Sequence, residues 1–252
     1  MRTETYFISD LHLGARYAGD RIENERRVVR WLDSVKDNMK ELYLVGDIMD
    51  YWYDYKYVVM RGFVRFFGKL AELSDAGVKI YWFIGNHDIW LFDYFEKEMG
   101  ITVIDGVLEK EIGGKRFYIT HGDGVGKRSF GFRFIRGLFR NKFCQKLYSS
   151  IHPRWTVPFA LGCSSTSRAN GCEIPPADSL HLQSLKEFAD DYNKTAKVDY
   201  FIFGHLHVVV NDPVPSGGNI VVLGDWLNHF TFARFSDGKL SLEYYKEEGG
   251  SR

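Results

Sequence analysis

The chain has 252 residues, 45% of them hydrophobic, which is enough for a sizeable core and excludes a disordered protein. Its 33 basic and 33 acidic residues cancel to a net charge of zero, which argues against nucleic-acid binding over the whole surface. The cysteines Cys144, Cys163 and Cys172 cannot pair evenly and lack a zinc-site spacing. The N-terminus has no apolar signal segment, and no apolar run is long enough to cross a membrane. We expect one cytoplasmic domain with an insertion.

Short apolar runs rich in β-branched and aromatic residues predict strands that are buried on both faces. These runs are 6–8, 42–45, 80–84, 117–119 and 201–203. Between the first three, apolar residues three and four positions apart predict helices over 21–36 and 58–76. After residue 198, short strands with turns at 216–219 and 236–238 predict an antiparallel tail. Mixed sheets of this kind are expected to pack face to face, with helices outside.

A polar block follows each predicted strand, at the end where α/β proteins bind ligands. The blocks are Asp10-Leu11-His12, Gly46-Asp47, Gly85-Asn86-His87-Asp88, His121-Gly122-Asp123 and Gly204-His205-Leu206-His207. Imidazole, carboxylate and amide donors without a thiolate favour Mn²⁺, Fe²⁺ or Zn²⁺. Two such ions about 3.5–4 Å apart activate water and bind phosphoryl oxygens. The sequence therefore predicts a two-metal phosphoesterase, with Mn²⁺ as the first choice and Asp47 as the bridging carboxylate.

The block series DLH, GD, GNHD, HGD and GHLH resembles that of the calcineurin-like metallophosphoesterases across nearly the whole chain. The resemblance implies an α/β fold, a four-layer α-β-β-α sandwich of two mixed sheets. It also implies a ligand set for each metal. The first set is Asp10, His12, Asp47 and His207, and the second is Asp47, Asn86, His121 and His205.

His87 stands beside a predicted ligand but is not expected to be one. A protonated imidazole there could stabilise charge on the transferred phosphoryl group or protonate the leaving oxygen. It would need a carboxylate partner to fix its tautomer and raise its pKa. Asp50 matches the family position that pairs with this histidine and is preferred. Asp88 is the alternative, and its structural interpretation is an N-cap for a helix beginning at Ile89.

Residues 124–172 contain no Asp or Glu, but they carry nine basic residues and eight aromatic ones. Apolar residues within this segment advance by three or four and predict one helical stripe: Phe132, Ile135, Phe139, Phe143 and Leu147. Arg133, Arg136 and Arg140 lie beside that stripe. A basic amphipathic helix fits an anionic membrane surface or a lipid phosphate. The alternatives are a helical hairpin packed on the body, and a surface for single-stranded nucleic acid.

An insertion between the HGD and GHxH blocks resembles the helical cap of the UDP-2,3-diacylglucosamine diphosphatases, calcineurin-like enzymes of the lipid A pathway. The run 46–52, GDIMDYW, is similar to their GD…W block. This resemblance implies cleavage of the pyrophosphate to UMP and 2,3-diacylglucosamine 1-phosphate, with a cap at about 124–185. The basic amphipathic stretch in that cap predicts peripheral contact with the inner membrane. The predicted substrate-binding residues are Asn86, Trp52, Arg128, Arg133 and Arg168.

Two alternatives stay open at this point. One is a phosphodiesterase or phosphatase of the same superfamily that acts on another substrate. The other is a non-catalytic scaffold on a phosphoesterase fold, against which the intact ligand set and His87 argue. We expect no nucleic acid and no protein partner.

Overall fold

Two mixed β-sheets packed face to face form the centre of the protein in a computed structural model, which describes residues 2–126, 130–169 and 180–247. The strands are β1 (Glu4–Ile8), β2 (Met39–Leu44), β3 (Lys79–Phe83), β4 (Thr102–Ile104), β5 (Leu108–Ile112), β6 (Lys115–Ile119), β7 (Tyr200–Phe203), β8 (Val209–Pro213), β9 (Asn219–Leu223), β10 (Thr231–Ser236) and β11 (Lys239–Tyr244). The helices are α1 (Arg21–Val35), α2 (Val64–Asp75), α3 (Tyr94–Met99), α4 (Phe130–Arg140), α5 (Lys142–Ser149), α6 (Pro153–Ala169) and α7 (Leu180–Ala196).

The first sheet has the order β11-β10-β1-β2-β3-β4, and the second has β5-β6-β7-β9-β8. The β8–β9 and β10–β11 pairs are antiparallel hairpins whose turns lie where the sequence predicted them. However, β9 runs parallel to β7, so the prediction of an antiparallel tail was wrong for that pair. The chain reverses direction once to form the edge strand β8 and again to form β9, so β9 runs in the same direction as β7. The hydrophobic pattern could not predict this, because it does not encode strand direction.

Alternation of side chains along the strands places the core on both faces of each sheet. In β1, Tyr6 and Ile8 pack toward α1 and α2, whereas Phe7 faces the second sheet. In β7, Phe201 packs toward α7 and Ile202 faces the first sheet. The interface between the sheets has a buried apolar centre with partly buried apolar residues around it, and the helices cover the outer faces. The predicted four-layer α-β-β-α sandwich is confirmed.

The predicted helix over 58–76 begins later, at Val64. Phe63 has a left-handed backbone with φ 60°, which ends the preceding loop. The first backbone N–H groups of α2 have no cap in their own segment. Instead Glu25 of α1 accepts hydrogen bonds from the N–H groups of Arg65 and Phe66 at 2.7 and 3.1 Å. A carboxylate from another helix caps α2, and local sequence could not predict this.

The helices α4, α5 and α6 form a cap over one end of the sandwich, and the predicted single stripe is divided between two of them. Asn141 ends α4 and caps α5 by accepting hydrogen bonds from the N–H groups of Phe143 and Cys144 at 2.9 and 3.2 Å. The predicted cap boundary near residue 185 falls inside α7, whose Leu182 and Leu185 pack on the second sheet. Among the described helices, none is long and apolar enough to cross a membrane.

Candidate metal centre

The carboxyl ends of five strands meet at one end of the sandwich, and each carries a predicted polar block. The strands β1, β2 and β3 are neighbours in the first sheet, and β6 and β7 are neighbours in the second. Their exits bring ligand atoms within 4.8 Å of one another in three overlapping groups. The groups are Asp10–His12–His207, His12–Asp47–His87 and Asp47–His121–His205.

Asp47 belongs to the second and third of these groups and lies close to His12 of the first, so it is placed to bridge two cations. Its Oδ2 is 3.4 Å from His121 Nε2 and 3.8 Å from His12 Nε2. Asn86 Oδ1 is 3.2 Å from His121 Nε2, so the amide oxygen faces the same point as that imidazole. The structure thus brings together all seven predicted ligands: Asp10, His12, Asp47, Asn86, His121, His205 and His207.

The donor arrangement fits divalent cations. Oδ1 of Asp10 is buried and accepts no hydrogen bond from any described residue. Two imidazole nitrogens face that oxygen, His207 Nε2 at 3.3 Å and His12 Nε2 at 3.8 Å. Burial alone would raise the pKa of Asp47, but the imidazoles of His121 and His87 hold it well below its usual range. A buried, ionised carboxylate surrounded by imidazoles is the chemistry of a metal site.

Five of the predicted ligands have strained backbone conformations. Asp10, His12, Asp47, His205 and His207 all have positive φ values, between 43° and 69°. Non-glycine residues rarely adopt this left-handed region, and the strain is usually maintained only where function requires it. Its concentration at strand exits supports a functional role for this end of the sandwich.

Two glycines let neighbouring backbone approach the ligands. A Cβ on Gly85 would lie 2.1 Å from Asp47 Oδ1, and one on Gly46, whose φ is +83°, would lie 2.4 Å from His121 Nδ1. That Nδ1 is 2.9 Å from the carbonyl oxygen of Val45, which directs Nε2 of His121 toward Asp47. The glycines therefore leave the space that these two ligand side chains occupy.

Asp88 is fully buried and joins the loops that follow β2 and β3. It accepts hydrogen bonds from five N–H donors at 2.8 to 3.5 Å: the backbone of Asp47, Ile48, Met49 and Gly85, and the indole of Trp82. No helix begins at Ile89, so the N-cap interpretation was wrong. Burial and the nearby Asp47 carboxylate raise the pKa of Asp88. Its contacts are those of a structural group.

His87 pairs with Asp50. The Nδ1 of His87 lies 3.1 Å from the carbonyl oxygen of Asp50 and 3.5 Å from its Oδ1. The same Oδ1 is 3.3 Å from His12 Nδ1 and accepts a hydrogen bond from Tyr17 at 2.8 Å. Burial alone would lower the pKa of His87, but the carboxylates of Asp47 and Asp50 raise it to about 9. His87 is also close enough to His12 and Asp47 to be a ligand, so its catalytic role is a proposal.

Comparison with known proteins agrees with this geometry. The model of the calcineurin-like phosphoesterase family matches residues 4–209. The chain belongs to the calcineurin-like phosphoesterase family. A UDP-2,3-diacylglucosamine hydrolase from Porphyromonas gingivalis is 41% identical, covering 96% of this chain and 98% of the relative. Relatives of the same name from Neisseria meningitidis serogroup A and Ralstonia nicotianae are 25% and 27% identical. They cover 92% and 94% of this chain, and 94% and 91% of their own lengths.

As a calcineurin-like phosphoesterase, the chain is a metal-dependent hydrolase. Its His and Asp groups are consistent with the two-metal centre of such enzymes. In this phosphoesterase the centre opens into a cavity of about 520 Å³ beneath the cap. Asp50, Asn86 and His87 line the cavity at the metal end. The remaining lining is mainly apolar and includes Ile89, Trp90, Leu138, Phe139, Leu147, Tyr148, Ile151 and Phe159.

The predicted substrate-binding residues have different outcomes. Asn86 lines the cavity. Trp52 does not, because its side chain is only 1% exposed and packs against Phe67 and Phe95 in the core. Its indole N–H donates to Asp54, which further fixes it there. The structure thus contradicts a substrate role for Trp52. Trp90, 38 residues later, is the tryptophan that lines the cavity.

The predicted arginine contacts fall largely outside the described residues. Arg128 lies in the undescribed stretch 127–129, and the side chains of Arg133 and Arg168 are likewise not described. Two of the arginines beside the predicted stripe form ion pairs with carboxylates of the body. Arg136 Nε is 3.0 Å from Asp123 Oδ2, and Arg140 forms an ion pair with Asp105. These pairs tie α4 to the sandwich.

Sequence reasoning missed Asp225, which lies 3.2 Å from Nδ1 of the predicted ligand His207. Burial alone would raise the pKa of Asp225, but hydrogen bonds with His207 and with backbone N–H groups lower it. A signal was present, since Leu223-Gly224-Asp225 follows an apolar strand as Val45-Gly46-Asp47 does. Gly224 and Asp225 directly follow β9, in the part of the chain where the sequence predicted only short strands and turns.

Proposed function

We propose that this phosphoesterase hydrolyses the pyrophosphate of UDP-2,3-diacylglucosamine to UMP and 2,3-diacylglucosamine 1-phosphate in lipid A biosynthesis. The observation that carries the proposal is the continuity between the metal centre and the apolar cavity under the cap. One end of the site has the donors for phosphoryl chemistry, and the other offers an apolar surface to acyl chains. Relatives named for this activity cover nearly the whole chain.

We propose two divalent cations, with Mn²⁺ first and Fe²⁺ or Zn²⁺ as alternatives. Asp10, His12, Asp47 and His207 would hold one, and Asp47, Asn86, His121 and His205 the other. When bound, the cations supply positive charge that activates water and stabilises the phosphoryl oxygens. The first and third groups of ligand atoms share no residue and are linked only through the His12–Asp47–His87 group, which supports a pair rather than a single ion.

His87 contributes charge and a proton at the cavity end of the centre. Asp50 holds Nδ1 of His87 through its backbone and its carboxylate, which leaves Nε2 as the atom that donates to substrate. Charge from Asp47 and Asp50 favours the imidazolium, a form that stabilises a developing phosphoryl charge or protonates the leaving oxygen. Asp50 is therefore a positioning residue. Asn86, which lines the cavity, would both hold a cation and contact the phosphoryl group.

The cap side of the cavity binds an acyl chain. Phe139 lines the cavity, whereas Phe143 is 77% exposed and lies outside the lining. We expect Phe139→Asp to lower kcat/KM for the lipid by at least about 10-fold, because a buried phenyl group contributes roughly 1.5–3 kcal/mol. Turnover of bis(p-nitrophenyl) phosphate, which has no acyl chain, should be unchanged.

Phe143→Asp is the matched control in that assay, with the lipid dispersed in detergent. It places the same charge on the same cap but outside the cavity. Equal losses for both variants on the lipid, or equal losses on both substrates, would contradict acyl-chain binding by the cavity.

We propose that the exposed face of the cap contacts an anionic membrane on the cytoplasmic side of the inner membrane. Its exposed apolar residues outside the cavity lining are Phe134, Phe143 and Trp155. Lys142, Lys146 and Arg154 occupy the same helices, α5 and α6. Exposed aromatic residues next to basic ones suit a surface of anionic phospholipid.

Phe143→Asp should reduce co-sedimentation of the enzyme with phosphatidylglycerol vesicles severalfold, because it adds negative charge to the contacting face. Vesicles of phosphatidylcholine alone should retain little of either protein. A matched control is Val107→Asp, which alters an exposed valine in the loop between β4 and β5, away from the cap helices. Unchanged binding of Phe143→Asp, or an equal loss in the control, would contradict the membrane contact.

A phosphodiesterase with a different physiological substrate is the alternative within the family. The experiment that separates the two compares kcat/KM for UDP-2,3-diacylglucosamine with that for bis(p-nitrophenyl) phosphate. Our proposal predicts a preference of several orders of magnitude for the lipid, because only the lipid fills the cavity. Comparable values would favour the alternative.

A further inference from the structure

The turn that follows β9 contacts two predicted ligands from outside the metal centre. Asp225, at its start, is fully buried, and its Oδ2 lies 3.2 Å from Nδ1 of His207. The next residue, Trp226, donates its backbone N–H to the carbonyl of Asp10 at 3.1 Å. His207 Nε2 faces Asp10 Oδ1 at 3.3 Å, so Asp225 approaches the imidazole through its other nitrogen.

Asp225 is itself fixed by its own turn. Its Oδ1 accepts hydrogen bonds from the backbone N–H groups of Leu227, Asn228 and His229 at 3.1, 2.7 and 3.1 Å. These donors hold one carboxylate oxygen and thereby direct the other at His207. A carboxylate at Nδ1 keeps the imidazole proton on that nitrogen and leaves the lone pair of Nε2 available to a cation.

We propose that Asp225 is a positioning residue that fixes the tautomer and ring orientation of His207 for a cation held together with Asp10 and His12. The segment matched by the family model ends at residue 209, so Asp225 lies beyond it. The inference rests on the two-metal part of the proposed function but not on its substrate. Metal binding can therefore test it without any lipid.

The variant Asp225→Asn tests the proposal most sharply. The amide keeps an oxygen for the three backbone donors but presents an N–H group to His207 Nδ1, which must then accept. The proton moves to Nε2, where it blocks the lone pair. Titration calorimetry with Mn²⁺ alone should find two bound ions in the wild type. In Asp225→Asn, one of the two sites should weaken by about 10- to 100-fold, while the melting temperature in EDTA stays close to that of the wild type.

His229→Ala is the matched control. The His229 ring lies beside Asp225, with Nδ1 3.4 Å from Oδ1, but its backbone donor survives the substitution. This variant should bind both ions with wild-type affinity. Two ions bound with unchanged affinity by Asp225→Asn would overturn the inference alone. A wild-type protein that binds no Mn²⁺ would overturn the two-metal function, and this inference with it.

A second measurement needs no change at position 225 and holds even if Asp225→Asn is unstable. Long-range ¹H–¹⁵N correlation spectra of the wild type loaded with diamagnetic Zn²⁺ report the tautomer of each imidazole. His207, assigned by the signals lost in His207→Gln, should carry its proton on Nδ1. A proton on Nε2, or a metal bound through Nδ1, would overturn the proposal.

Discussion

Replacing Gly85 by alanine is expected to lower hydrolysis by at least about 100-fold, although Gly85 carries no functional group. Its Cβ would lie 2.1 Å from Oδ1 and 2.4 Å from the backbone nitrogen of Asp47, so the proposed bridging carboxylate must move. A displacement of about 1 Å in a reacting constellation costs on the order of 100-fold in rate. The measurement is kcat/KM on the lipid and on bis(p-nitrophenyl) phosphate, and both should fall together.

Gly68→Ala is the control for that substitution. Gly68 lies inside α2, and an added Cβ there would meet no atom within 4 Å. Alanine is favoured over glycine within a helix by about 1 kcal/mol, so activity should be unchanged and stability equal or higher. Activity of Gly85→Ala within threefold of the wild type would contradict the position assigned to Asp47.

Asp88→Ala is expected to lower the free energy of unfolding by about 3–5 kcal/mol, because several buried N–H donors lose their acceptor together. Its carboxylate joins the loops carrying Asp47 and Gly85, so the loss should appear in metal-free protein. Urea unfolding in EDTA measures it. The control Asp93→Ala removes an exposed carboxylate whose partner is Lys97. It should change stability by less than about 1 kcal/mol. Similar losses in both variants would contradict the structural role of Asp88.

The layers and ligand positions could be predicted because each strand has a strong local signal. Along β1, the side chain of Phe7 lies on one face of the sheet and those of Tyr6 and Ile8 lie on the other. The polar block that begins at Asp10 follows this strand closely. When an Asp or His follows a buried strand, its position at the strand's carboxyl end can be predicted from the local sequence alone. The same reasoning selected seven residues that the structure brings together as a candidate ligand set, although they come from strands in two different sheets.

Features set by distant contacts could not be predicted. Trp52 follows the Asp47 turn closely, but its direction depends on α2 and α3, which enclose it in the core. The pattern through Phe139 and Phe143 is compatible with one continuous helix, yet Asn141 competes for backbone N–H groups and begins a new one. The structural role of Asp88 depends on three N–H donors from the loop after β2, about 40 residues away in the sequence. For Asp225 the sequence carried the signal of an apolar strand followed by Gly-Asp, but its contact with His207 arises only in the folded chain.

The measurement that tests the central claim most directly is release of UMP from UDP-2,3-diacylglucosamine, supported by Mn²⁺ and compared with a His12→Ala control. His12 Nε2 faces both Asp10 and Asp47, so its loss removes a donor shared by two of the ligand groups. The account predicts prompt release by the wild type and none above background by the control. No release by a metal-loaded wild type that still cleaves bis(p-nitrophenyl) phosphate would contradict the substrate. Equal release by the control would contradict the metal centre.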